Sequence, residues 1–251
     1  DLRIRPALAQ RFDNPDPLTY VAHLHHGVRF HDGHELTSRD VVYTFKSILD
    51  PALRSPFKGA FRSLKDVTAL DQYTVVFTLT EPFAAFPMQL TGVPPIVPAD
   101  AGDSLKTFPI GTGPYRFVRY EADDTLVLSA FEGYWEGLAN NAGIVMKVVP
   151  DDTMRGLELR KGTTDLVVND LPPDIVHQLE KSGEFSIERS PGLDFFYLGI
   201  NMRDPVLADV RVRRAIGYAT NRDAIIQYLR RGLGRPAVGL VPDLAWAFEP
   251  D

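Results

Sequence analysis

The spacing of apolar and polar positions changes along this chain, and each change predicts a different element. Residues 20–31 alternate loosely, as a strand does, and run into the turn His31-Asp32-Gly33. Helical spacing follows, with Val41, Val42, Phe45, Ile48 and Leu49 on one face. Thr37-x-x-Asp40 supplies a capping box with a shortened acid, and Asp50-Pro51 supplies the stop. Alternation returns from Thr74 to Leu79, where Val75, Phe77 and Leu79 share a side. A proline-rich connection then leads from Glu81-Pro82-Phe83 to Pro98.

Gly111-Thr112-Gly113-Pro114 predicts a tight turn needing positive φ or close backbone approach. The strand after it places Tyr115 and Phe117 on one side and Arg116 on the other. From Ile144 onward, strand and helix alternate. Strands are predicted at Ile144–Val149, Asp165–Val168, Phe185–Arg189 and Phe195–Asn201. Between them lie a helix capped by Asp152 or Thr153 and ended by Gly162, and another opened by Pro172-Pro173 and closed by Gly183. Its Ile175, Val176 and Leu179 are expected to point inward. That order predicts parallel pairing through right-handed crossovers. Asp209 caps a helix expected to bury Val212, Ile216 and Ala219. Asn221 caps another, carrying Ile225, Ile226 and Leu229 and ending at Gly232. The fold class is α/β. A smaller subdomain over about 23–92, rich in antiparallel strands, is inserted into a larger one made of 1–22 and 93–200.

Composition narrows the function. With 251 residues, 44% of them apolar and 24% charged, the chain has the make-up of a globular domain. Its net charge of −6, with no compensating basic block, argues against nucleic acid as a partner. The absence of cysteine removes disulfides, thiolate metal sites and cysteine nucleophiles. No apolar run reaches the ~18–20 residues that cross a bilayer. The start, Asp1-Leu2-Arg3-Ile4-Arg5-Pro6, has no apolar core of a signal peptide, so the chain is expected to be cytoplasmic or a processed or engineered fragment.

Five of the six histidines crowd into residues 23–34. His23 and His25 share a strand face and suit a chelating pair, yet no third ligand stands at a fixed offset. An exposed polar strand and turn is the plainer reading, and neither metal nor cofactor is expected. No Gly-x-Ser-x-Gly elbow, phosphate loop or His-Glu-x-x-His helix occurs, so an enzyme is the least expected class. Asp123-Asp124 and Asp151-Asp152 read as caps, and Arg211, Arg213, Arg214, Arg230 and Arg231 as a solvated helix face. Asp165 to Pro172 has more to offer. An apolar strand ending in Asn169-Asp170 and opening into a helix puts side chains where open α/β sheets bind ligands. The same two residues also suit a loop that merely precedes Pro172.

Five stretches resemble one known family when taken in order. They are Gly27-Val28-Arg29-Phe30-His31-Asp32-Gly33, Leu36 to Phe45, Gly111 to Phe117, Gly133-Tyr134-Trp135 and Asp209 to Ile216. Their order and spacing, from about Leu8 to about Pro242, look like the family-5 extracellular solute-binding proteins of ABC importers. This is the dipeptide/oligopeptide-binding group, which also holds nickel binders. The resemblance implies a periplasmic-binding-protein-like first lobe with a mixed sheet, and residues 201–251 as the opening of a second lobe. Members are roughly twice this length, so a fragment covering the N-terminal half is expected. The resemblance also implies that a peptide, or another small solute, binds between two lobes and passes to a membrane permease. Val168, Asn169 and Asp170 become cleft-lining positions on the same ground. Phe195, Phe196 and Tyr197, just before the crossover between lobes, either touch ligand or fill the core. Location is implied to be periplasmic or on a cell-surface lipoprotein, with no nucleic acid and no direct membrane insertion. A nickel-chelate or other small-solute binder, or a cytoplasmic sensor domain of a regulator, are the alternatives.

Overall fold

A computed structural model of the chain describes residues 4–91, 94–99, 101–168, 171–190, 192, 194–241, 245 and 248. Two bodies are distinguished, Arg3–Val148 and Val149–Asp251.

The first body is built on an antiparallel sheet of order β1-β2-β4-β3, comprising β1 (Ala9–Asp16), β2 (Thr19–Leu24), β3 (Leu64–Asp71) and β4 (Thr74–Leu79). Alternation works as expected in β4, where Val75, Phe77 and Leu79 are buried, and in β2, where Tyr20, Ala22 and Leu24 are. Helix α1 (Ser38–Leu49) lays Val41, Phe45 and Ile48 on that face. Asp40 accepts from the Thr37 backbone N–H at 2.9 Å, as the capping box requires, and Asp50 ends the helix. Asp40 also receives the Ala99 N–H at 2.9 Å, and Thr44 receives the Val97 N–H at 3.1 Å. The proline-rich connection, which includes the single turn α2 (Phe86–Gln89), is thereby tied to the polar side of α1.

The strand expected over residues 20–31 stops at Leu24. Gly27, at φ 73°, turns the chain out of extended geometry. Val28, Phe30 and Leu36 then form a second, smaller core with Leu8, Ile96, Ile110 and Trp135 around it. A meander of β5 (Tyr115–Glu121), β6 (Thr125–Ala130) and β7 (Gly143–Lys147) completes this body. The strand expected at Ile144–Val149 is β7, but it is antiparallel and only partly covered, with Val145 61% and Met146 50% exposed. Among the described residues β7 pairs on one side only.

The second body contains α3 (Asp152–Lys161), α4 (Pro173–Ser182), α5 (Val210–Ala219) and α6 (Arg222–Ala224), the last continuing into a π-helical turn over Ile225–Leu229. Asp151 caps α3, one residue earlier than expected, because its backbone is extended and its carboxylate meets the Met154 N–H at 2.7 Å. Gly162 and Gly183 end α3 and α4 in the left-handed conformation. Asp209 and Asn221 cap α5 and α6 as expected. The burial expected of α5 is not reached, since Val212 and Ile216 are half-buried and Ala219 is exposed. Ile225 and Leu229 are exposed as well. Among the described residues, parallel pairing is also not formed. Asp165–Val168, Phe185–Arg189 and Phe195–Asn201 have no strand partner among the described residues, and all described pairs are antiparallel. A strand exists only as a member of a pair, which periodicity within one segment does not register.

Gly156 of α3 is buried against α4, and a Cβ there meets Ile175 Cγ2 at 2.7 Å. Gly156→Val is therefore expected to force the helices apart at a cost of about 1–3 kcal/mol. Combining it with Ile175→Ala restores part of the loss. Urea melts of the two single variants and the double variant measure this, and strict additivity would refute the contact.

Candidate functional site

The expected cleft residues fall in the second body, and the structure places three of them. Val168 is 69% exposed, and Phe196 and Tyr197 are each 76% exposed. Asn169 and Asp170 lie outside the described residues. Phe196 and Tyr197 fill no core in this body, and Phe195 is half-buried. Phe195 stacks on Tyr197 with ring centroids 6.1 Å apart, and the Arg230 guanidinium lies 4.7 Å over the Phe196 ring. Arg230 is thus a cation–π partner and not simply part of a solvated face. These side chains offer open aromatic surface but no enclosed site. A cavity of about 460 Å³ in the same body is lined instead by His177, Asp223, Gln227 and Arg231, among others. Arg231 is held there by Asp174 at 2.6 Å.

The signature stretches of the first body have converged on packing. Trp135, from Gly133-Tyr134-Trp135, covers the small core of Val28 and Phe30. His31 joins the His31-Asp32-Gly33 turn to the Gly-Thr-Gly segment by three bonds. Its backbone N–H donates to the Gly111 carbonyl at 2.9 Å. Its Nδ1 accepts the Gly111 N–H at 3.2 Å, and its Nε2 lies 3.0 Å from the Gly113 carbonyl. Those roles require the neutral tautomer with the proton on Nε2. The ring edge meets Phe131 at 5.1 Å. A clamp between positions 80 residues apart leaves no mark in the spacing of either motif, so sequence reasoning missed it.

The other clustered histidines are engaged separately. His23 lies 3.0 Å from Asp13, His25 packs on Trp135, His26 stacks on Tyr73 at 3.9 Å, and His34 meets Asp32 at 3.0 Å. Among the described residues no group of three or more His, Asp or Glu is placed to hold a metal. Under His26, the Tyr73 hydroxyl donates to Glu35 Oε1 at 2.8 Å and the Gly27 N–H donates to the same oxygen at 2.9 Å. The Tyr73 bond, then the Gly27 bond, hold the Glu35 carboxyl below the usual glutamate range. A lowered carboxyl contributes stability above its unfolded value, and the contribution fades as pH falls through the folded midpoint. Tyr73→Phe removes the larger cause and is expected to move the Glu35 midpoint upward. Carboxyl NMR titration reads this directly, and an unchanged midpoint would refute the assignment.

Comparison with known proteins now identifies the scaffold. A family model described as bacterial extracellular solute-binding proteins, family 5 Middle, matches residues 3–251. The chain is 31% identical over 265 residues to the glutathione-binding protein GsiB of Pectobacterium atrosepticum, covering 100% of this chain and 51% of that protein. It superposes on the periplasmic binding protein DppA of Helicobacter pylori, an ABC transporter-associated protein in complex with the peptide STSA. The TM-score is 0.81 at 28% identity, over 98% of this chain and 54% of that one. It also superposes on NikZ of Campylobacter jejuni in complex with Ni(L-His), with TM-score 0.79 at 26% identity, over 91% of this chain and 47% of that one. The chain spans about half the length of the curated relatives it matches. Among the described residues, no helix is long and apolar enough to cross a membrane. The fold is that of periplasmic binding proteins, and the chain belongs to the bacterial extracellular solute-binding proteins of family 5.

Proposed function

We propose that the protein to which this chain belongs is the substrate-binding component of an ABC import system. It takes di- or oligopeptides between two lobes and delivers them to a membrane permease. The carrying observation is the family match over residues 3–251, and the peptide complex of a structural relative at TM-score 0.81 supports the ligand class. The action is binding coupled to lobe closure, with no bond made or broken, so the protein is not an enzyme. It works in the periplasm or on the cell surface. In the proposed arrangement residues 1–22 and 93–200 form the base of the first lobe, 23–92 the inserted subdomain, and 201–251 the start of the second lobe. The β1–β2 pairing joins chain on either side of the first boundary.

Val168, Asn169, Asp170, Phe196 and Tyr197 line the cleft in this reading. The exposure of Val168, Phe196 and Tyr197 supports it, since large apolar side chains left open are suited to covering by ligand. A peptide's main chain is the same in every sequence, so a cleft that pairs with it tolerates varied side chains. The test is mass spectrometry of the ligand that co-purifies with the full-length protein, followed by titration of that ligand. Asn169→Ala is expected to weaken binding by about 0.5–1.5 kcal/mol, the worth of one neutral hydrogen bond, with the melting temperature unchanged. A co-purifying nickel chelate would replace the peptide reading with the metal-chelate one. Unchanged affinity in Asn169→Ala would move the site elsewhere.

A further inference from the structure

The first body carries a recess of about 330 Å³ that the peptide reading leaves unused. It lies where the His31-Asp32 turn, the segment 108–110 and strands β5 and β6 meet, and its lining residues all belong to Arg3–Val148. We infer that this recess is a binding site for a small monocarboxylate with an aromatic or branched aliphatic body.

One part of its wall is apolar and already arranged. Phe108 stands edge-on to Phe117, with centroids 5.4 Å apart and planes at 87°, yet remains 51% exposed. Val118, also in the lining, is 46% exposed. A flat apolar group seated there removes this surface from water and adds a third ring or branched chain to an oriented pair. The volume matches small ligands, falling at the lower end of the ~300–1,000 Å³ of ligand pockets.

The charge comes from Arg116. Its Nε donates to Ser129 Oγ at 3.1 Å, which orients the guanidinium. Among the described residues its two Nη groups have no hydrogen-bond or ion-pair partner. A fork held at Nε and open at Nη offers two parallel donors to a carboxylate.

The remaining polar groups of the recess set the specificity. Asp32 makes no ion pair with Arg116 among the described residues; its two oxygens face the His34 N–H and His34 Nδ1, each at 3.0 Å. Burial acts to raise the Asp32 carboxyl, but the bonds from His34 outweigh it and keep the group ionised. The open Nη pair favours a carboxylate by two directed hydrogen bonds, while the Asp32 charge repels a phosphate dianion twice as strongly as a monoanion. His31 has both ring nitrogens committed to Gly111 and Gly113, so it forms wall and supplies no extra donor.

The experiment is a heteronuclear NMR titration of the chain with phenylacetate, its neutral isostere phenylacetamide, and inorganic phosphate. Phenylacetate is expected to give saturable shifts at the Arg116 Nε–H and at the Phe117 and Ser129 amides. The amide should bind roughly tenfold more weakly or worse, as expected for loss of a charge-assisted pair. Arg116→Gln should reduce phenylacetate to the level of the amide while leaving the melting temperature unchanged. If that variant does not fold, Ser129→Ala serves, and a loss of phenylacetate affinity is expected from releasing the fork. The inference is overturned by shifts that do not saturate, by equal affinity for acid and amide, by preference for phosphate, or by indifference to the substitution that folds.

Discussion

Phe77→Ala is expected to destabilise the first body by about 3–5 kcal/mol, the usual cost of deleting a fully buried aromatic ring. Phe77 is 2% exposed, and its ring meets Phe45 at 5.1 Å, Phe86 at 5.6 Å and Phe12 at 6.4 Å. Its strand, β4, lies between β2 and β3 and is hydrogen-bonded to both. The backbone therefore has little room to move inward and fill the space, so the cavity term adds to the lost transfer energy. Leu70→Ala is the control. Leu70 is 72% exposed on β3, and its truncation is expected to stay within about 0.5 kcal/mol. Urea melts followed by near-ultraviolet circular dichroism compare the two. A Phe77 loss no larger than that at Leu70 would place the core elsewhere.

Asp40→Ala should cost about 2–4 kcal/mol through lost charge-assisted hydrogen bonds and a lost helix cap. Asp40 is 8% exposed and accepts from the Thr37 N–H, the Thr37 hydroxyl and the Ala99 N–H. Removing it leaves two backbone donors without acceptors near the core. Val97 keeps its bond to Thr44, so the connection is loosened at one point rather than released. Hydrogen exchange should show the Thr37 and Ala99 amides losing protection beyond what the global loss explains. Unchanged protection at both amides would overturn the assignment.

What was legible in the sequence was mostly local. The start of α1, the stop at Asp50-Pro51, the glycine ends of α3 and α4 and the caps of α5 and α6 are set by a few neighbouring residues. Strand β4 was legible too, because its alternation separates a buried face from an open one. The segments around Leu166, Glu188 and Leu198 read as strands just as well, but their state depends on partners that adjacent residues do not encode. Gly27 shows the limit from the other side, since one positive φ ended a pattern that alternation would have carried on. The family was legible through motifs, and in the first body those motifs stabilise the scaffold. The recess at Arg116 was illegible, because Asp32, Phe108, Arg116 and Ser129 meet only after folding.

The side of β7 that has no strand partner among the described residues bears on how this chain behaves when concentrated. A strand with one unpaired edge exposes a row of amide donors and carbonyl acceptors, a ready template for a strand from another molecule. Val145 and Met146 make that strand sticky as well as open. Lys147 is the last residue of the strand, and a net charge of −6 keeps molecules apart only while salt is low. Self-association in this chain should therefore rise with ionic strength, with intermolecular sheet growing from residues 143–147.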